Sequence, residues 1–391
     1  MSDRRARREI DDAVLHIKDL RTYFYLQERG RFLRAVDGVT LTVQPGETLV
    51  VVGESGSGKS VTMLSLMGLL SSAPGVVTGK IWYKKPGDRD AVNLLEGLDR
   101  FAELKTEPSL RVAKDHRGWL RWNDVGMKER RGRDFAMIFQ NPRGALHPFF
   151  TVGEQICEVI QRRSAFSNGN SGGLSRKEAM DEAGEWLSRV HLDSPQKRLA
   201  DYPHSLSGGM CQRVMIAMTL AARPSVLIAD EPTTGLDATI QSRVLDLMEE
   251  MKAELETTTI VITHDMGVAR RLADRVAVMY AGRVVEIGPA KDVLDRAHEP
   301  KHPYALGLLR AIPSEDDIRE GRRLTVIEGD VPDLSRLGSG CQFVERCTHK
   351  PEGQEELCLE SEPELESVAT NHRVRCWNYS NGSASGGANK H

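Results

Sequence analysis

The chain contains no run of about 18 apolar residues, the length a helix needs to cross a bilayer, so it carries no membrane span of its own. It also lacks a basic surplus. Lys and Arg number 53 against 56 Asp and Glu, for a formal charge of −3. That balance argues against nucleic acid as a partner, because nucleic-acid binders usually present a basic face. Met1 to Asp12 is charged and has no apolar core, so it is not a secretory leader. The expected compartment is therefore the cytosol, where thiols stay reduced and disulfides are disfavoured. None of the six cysteines forms a C-x-x-C pair, which weakens a zinc-ribbon reading.

What remains is an ordinary soluble composition, 40% hydrophobic and 28% charged, over 391 residues. That length predicts two or three domains with a sizeable core. From Val14 to Ile81, short apolar runs between turns predict strands. Thr48–Val52 reads as a buried strand, and Ser60–Leu70 as a helix with apolar residues at helical spacing. Residues 84–133 are rich in charge and predict an extended, surface-facing insertion. Helices are expected from Thr151 through the 180s, broken by the linker Ser167–Gly173. Val226–Ala229 and Thr259–Thr263 read as two more buried strands. Strands alternating with helices predict an α/β fold with a mostly parallel sheet.

Gly53-Glu54-Ser55-Gly56-Ser57-Gly58-Lys59-Ser60 fits the phosphate-loop pattern, between a strand and a helix as that motif requires. The backbone N–H groups of Gly53, Ser55, Gly56, Ser57 and Gly58, together with Val61 at the helix start, are expected to cradle phosphates. Lys59 is expected to reach the β- and γ-phosphates, and the Ser60 hydroxyl to ligate Mg2+. Val226–Ala229 runs into Asp230-Glu231. This is a buried strand with two carboxylates at its C-terminal end, where such sheets bind ligands. Asp230 would hold Mg2+ and Glu231 would act as general base on the attacking water.

With Leu206-Ser207-Gly208-Gly209, these motifs resemble the ABC-type ATPases, over roughly residues 14–290. The resemblance implies an ABC-type domain with a helical subdomain at 141–225. It implies a site shared between two ATPase subunits, in which Ser207, Gly208 and Gly209 clamp the γ-phosphate of the opposing subunit. Gln140, in Met137–Pro142, would be the glutamine that senses Mg2+ and γ-phosphate. Asp237, in Gly235-Leu236-Asp237, would lie in the loop crossing the dimer interface. His264 would contact the γ-phosphate. Phe24 would stack on adenine, with Tyr23 as its rival.

Val52–Ser60, Ile138–Pro142, Tyr202–Met210 and His302–Leu309 narrow the resemblance to the ATP-binding subunits of oligopeptide and dipeptide permeases. The implied protein is a peripheral ATPase at the cytoplasmic face of the plasma membrane. Its implied partners are a second ATPase subunit (itself or a paralogue), two transmembrane permease subunits and, indirectly, an extracytoplasmic binding protein. Thr151–Ile156 would face the permease. Relatives of this group also move oligosaccharides, nickel or glutathione. A soluble ABC ATPase acting on ribosomes or DNA is a remote alternative, since only one phosphate loop is present and 84–133 lacks heptads.

Beyond Pro289, prolines and the acidic run Glu315–Asp317 predict a linker, then a small cysteine-rich module. The expected division is a tail at 1–13, the ATPase at 14–290, the module at 291–379 and a disordered tail at 380–391. Cys341, Cys347, Cys358 and Cys376 suit a [4Fe–4S] cluster, zinc or no metal on their own chemistry, and the resemblance implies the cluster. Cys157 and Cys211 read as buried small hydrophobes. No phosphate-loop residue lies in the module, so ATP binding is expected to be independent of it.

Overall fold

The computed structural model describes residues 12–70, 75–105, 111–167, 173–312, 326–353 and 355–380. The tail before residue 12, the acidic run Glu315–Asp317 and the tail from residue 381 lie outside them. Fourteen strands are present among the described residues: β1 (Leu15–Leu26), β2 (Arg31–Val43), β3 (Thr48–Val52), β4 (Gly75–Tyr83), β5 (Val92–Asn93), β6 (Ala102–Lys105), β7 (Arg111–Lys114), β8 (Phe135–Ile138), β9 (Val226–Asp230), β10 (Thr258–Ile262), β11 (Arg275–Tyr280), β12 (Arg283–Pro289), β13 (Glu366–Ala369) and β14 (His372–Val374).

The central sheet runs β13-β14-β12-β11-β3-β10-β9-β8. Its middle, β11 to β8, is parallel. Every residue of β3, β9 and β10 is buried, which is why each reads as a mostly apolar run without alternation. Alternation decides which face each side chain serves. Val50, Val52, Leu227, Ala229 and Val261 enter one core, shared with the helical subdomain. Leu49, Val51, Val226, Ile228, Ile260 and Ile262 enter the other, shared with the antiparallel sheet β2-β1-β4-β5.

Register then sets the working edge. Ile262 lies opposite both Val51 and Asp230, and Ala229 lies opposite Ile138. Four neighbouring strands therefore stop together, and the residues after each emerge side by side.

The helix after β3 spans Lys59–Leu66, shorter than the Ser60–Leu70 expected. Gly68, at φ 60°, turns the chain away. The segment 84–133 is not the extended surface insertion expected. It contains the β6–β7 hairpin and a helix, His116–Lys128, capped by Asp115. Leu95, Leu98, Ala102, Trp119 and Met127 are buried in the core beside β1 and β4. On that helix Trp119, Asn123 and Met127 recur every four residues, and Asn123 donates to the Gly68 carbonyl at 2.8 Å. Charge on the remaining faces hides this stripe in the sequence.

The helical subdomain is built from Val152–Ser167, Arg176–Arg189 and Gly208–Ala221. Val152 and Ile156 are fully buried, so Thr151–Ile156 is not an open face. The exposed apolar side chains beside it are Phe149 and Phe150, at 81% and 51% exposure. Residues beyond 290 do not stand apart from the ATPase. β14 pairs with β12 and extends the central sheet, while Tyr304, Leu309 and Phe343 enter the core of the helical side. No helix among the described residues is long and apolar enough to cross a membrane.

Candidate active site

The phosphate loop bridges the end of β3 and its helix. Gly53 has φ 151°, and a Cβ there would come 2.2 Å from the Met279 carbonyl oxygen. Gly58 has φ 98°, and a Cβ there would come 2.3 Å from the Ala35 carbonyl oxygen. Neither position has room for a side chain, so the loop's spacing of glycines is a packing requirement as well as a conformational one. The Lys59 ammonium folds into the loop, donating to the carbonyls of Gly53 and Glu54, both at 2.8 Å. Burial lowers its pKa, against the opposing pull of Glu231 and Asp230.

Asp230 ends β9 beside Ser60, whose hydroxyl it accepts. Burial and the neighbouring Glu231 charge raise its pKa against that bond and against Lys59. Its Oδ1 is buried and has no hydrogen-bond partner among the described residues. A buried carboxylate oxygen left open beside a hydroxyl and a phosphate loop fits a hard divalent cation such as Mg2+.

Glu231 follows with φ 49°, a left-handed conformation that costs of order 1–3 kcal/mol outside glycine. Its N–H is fixed to the Ile262 carbonyl at 2.9 Å. Its Oε1 meets Nδ1 of His264 at 3.0 Å, and its Oε2 accepts from Gln140 Nε2 at 3.1 Å and Thr234 Oγ1 at 3.0 Å. Burial would raise this carboxyl, but the three hydrogen bonds outweigh it and hold the group below its ordinary range. Gln140 leaves β8, Glu231 leaves β9 and His264 leaves β10, so the common strand end brings all three together. His264 remains 66% exposed on its side chain, against 16% for Glu231. Thr234 was not foreseen, since one threonine in a turn carries no pattern.

Ser207 caps its helix, accepting from the Met210 N–H at 3.3 Å. Asp237 caps Ala238–Leu255 in the same way. Ser207, Gly208 and Asp237 are exposed, and none hydrogen-bonds to the Lys59–Glu231 group among the described residues. A Cβ on Gly209 would lie 3.5 Å from Leu236, so these two segments are neighbours. Tyr23 is buried, and its hydroxyl donates to Asp37. That commits it to the core and leaves the half-exposed Phe24 as the candidate for adenine.

None of the six cysteines is in a disulfide. Burial raises the thiols of Cys341, to about 11, and Cys376, to about 12; Cys358 and Cys347 add to the first shift, and Cys341, Cys347 and Cys358 to the second. Burial also raises Cys347 and Cys358. Among the described residues, the one group of three ligand-type side chains whose atoms all lie within 4.8 Å is Asp292, His298 and His372, not the cysteines.

A phosphate loop, an acidic strand end and an oriented carboxylate at the parallel middle of one sheet define a P-loop nucleotide hydrolase. Family comparison agrees: the ABC transporter family matches residues 36–234, and the oligopeptide/dipeptide transporter C-terminal region matches residues 285–353. The chain is 39% identical to the oligopeptide transport ATP-binding protein OppD of Salmonella typhimurium, covering 94% of each chain. It is 39% identical to the dipeptide transport ATP-binding protein DppD of Bacillus subtilis, covering 94% of this chain and 95% of that one. A solved dimeric bacterial ABC transporter cassette matches at TM-score 0.54 and 24% identity, covering 71% of this chain and 98% of that one, which shows the fold. The chain belongs to the ABC transporter ATP-binding family and is an ABC ATPase.

Proposed function

We propose that this chain is the ATP-hydrolysing subunit of an importer of di- and oligopeptides. The observation that carries the reading is the convergence of Lys59, the Ser60–Asp230 pair and the Gln140–Glu231–His264 cluster at one sheet edge. The likeness to OppD and DppD supplies the cargo class.

The chain's residues divide the work. The loop N–H groups and Lys59 hold the phosphates, and the Phe24 ring stacks on adenine. Mg2+, held through Ser60 and Asp230 with Gln140 nearby, would neutralise charge on the β- and γ-phosphates. Glu231, ionised at neutral pH, takes the proton of the attacking water. His264 and Gln140 hold that carboxylate and contact the γ-phosphate. Ser207, Gly208 and Asp237, exposed on the same chain, serve with the half-buried Gly209 the site of a second ATPase subunit. Each dimer would then hold two composite sites.

Phe149 and Phe150 follow the Gln140 segment and suit an apolar contact with a permease subunit. With two such permeases and a binding protein outside, the subunit works peripherally at the cytoplasmic face.

Cys341, Cys347, Cys358 and Cys376 suit a [4Fe–4S] cluster. Every pair of these thiols interacts electrostatically, which is expected if the four face a common space. Such a group would brace this end of the chain.

The test is purification of the tagged chain from membranes in mild detergent. Two integral membrane partners should come with it, and the complex should hydrolyse ATP faster when peptide-loaded binding protein is added. Recovery without membrane partners, or with ribosomes, would reject the importer reading.

A further inference from the structure

Glu54, the second residue of the phosphate loop, has all of its polar groups engaged. Its carbonyl accepts from Lys59. Its N–H donates to the hydroxyl of Tyr304 at 2.8 Å. Its carboxylate takes a two-pronged ion pair from Arg346, Nη1 to Oε2 at 2.7 Å and Nη2 to Oε1 at 3.0 Å. Its carbonyl also accepts from the Ser57 N–H at 3.2 Å, so two of its four partners, Tyr304 and Arg346, come from beyond residue 300.

Arg346 is itself built in. Its side chain is 6% exposed. Its Nε donates to the Glu328 carbonyl at 3.0 Å, Nη2 to the Ile327 carbonyl at 3.4 Å and Nη1 to the Tyr280 hydroxyl at 3.4 Å. The guanidinium lies 5.8 Å from the Tyr280 ring centre. Tyr280 packs on Tyr304 at 4.6 Å and on Phe343 at 5.2 Å. The segment Cys341–Cys347 is thereby fixed against the loop that holds phosphate.

A carboxylate at that loop repels a triphosphate unless it is neutralised. A planar guanidinium does this while fixing the carboxylate's direction, which an ammonium cannot do equally well.

We infer that Arg346 is a positioning residue for nucleotide: from the C-terminal region it holds and neutralises Glu54, and so sets the affinity of the phosphate loop for ATP. The inference rests on the nucleotide-site reading above. It replaces the expectation that ATP binding is independent of the C-terminal region. Because Cys347 follows Arg346 directly, whatever fixes Cys347 also fixes this clamp.

The test is titration of the full-length chain with a fluorescent ATP analogue and Mg2+. Arg346→Ala should raise Kd about tenfold, equivalent to about 1.4 kcal/mol. Arg346→Lys, which keeps the charge but not the fork, should fall between wild type and Ala. In a Glu54→Gln background the effect of Arg346→Ala should shrink at least threefold by rough expectation, since neighbours that act through one another are not additive. A purely scaffolding role would give the same fold-change in both backgrounds, and that result overturns the inference. So does an unchanged Kd for Arg346→Ala with an unchanged melting temperature. If Arg346→Ala does not fold, the Lys variant decides, and wild-type affinity there overturns the inference. Lys59→Ala separates the two claims: if it binds as wild type does, the nucleotide-site reading itself has failed.

Discussion

Replacing Glu231 by Gln isolates the chemical step. The amide has the size of the carboxylate, and its oxygen can still accept from Gln140 and Thr234, now 3.1 and 3.0 Å away. Its NH2 would meet Nδ1 of His264, 3.0 Å from the present oxygen. The left-handed backbone at φ 49° is untouched. Lys59, Ser60 and Asp230 keep their partners, so Mg·ATP binding should persist. What is lost is a proton acceptor that the wild type keeps ionised, since three hydrogen bonds hold its pKa down against burial. General-base catalysis contributes about 10²–10⁴ in rate, or about 3–5 kcal/mol. Steady-state phosphate release by the assembled transporter should fall by about that factor, with ATP retained in a closed dimer. Turnover within twofold of wild type would remove Glu231 from the role of base and refute the reasoning.

Ser207→Arg should leave ATP binding to the monomer intact and block ATP-dependent dimerisation, read by light scattering in the Glu231→Gln background. Dimerisation at the wild-type ATP concentration would count against the shared site. Burial pushes the His302 imidazole down to about 3. An unfolded histidine takes its proton near 6.5, so acid favours the unfolded state, and stability is lost as pH falls below about 6.5. By pH 5 the loss should be about 2 kcal/mol. Exchange protection of the helix Pro303–Arg310 should report it, and His302→Asn should remove the pH dependence. Protein purified without oxygen should contain about four iron and four labile sulfide per chain. Any single Cys→Ser change among Cys341, Cys347, Cys358 and Cys376 should lose most of the iron, whereas stoichiometric zinc without sulfide would overturn the cluster.

The candidate site's residues were largely legible because the chemistry proposed for them fixes residue types at short spacing. Gly53 to Ser60 sits between a strand and a helix, and Asp230-Glu231 ends an apolar run. Local sequence carries both signals. Gln140 and His264 were legible only by resemblance, but their meeting at Glu231 follows from strand register. Thr234 could not be read, since a lone hydroxyl has no periodicity. The insertion was misread because its buried residues, Leu95, Leu98, Trp119 and Met127, are scattered among charges. Long-range pairing was the least legible feature. Glu286 lies opposite Val374 in the sheet, and Arg346 grips Glu54 across 292 positions. Such contacts depend on the completed fold, and no local pattern announces them.

The central claim is that this site's hydrolysis drives peptide import. Its most direct measurement is uptake of a labelled oligopeptide into proteoliposomes, with the binding protein inside or outside as orientation requires and Mg·ATP on the side of the ATPase subunit. The account predicts ATP-dependent accumulation that falls with phosphate release, by the same factor, when Glu231→Gln replaces wild type. Accumulation without ATP, or full accumulation with the Glu231→Gln subunit, would contradict it.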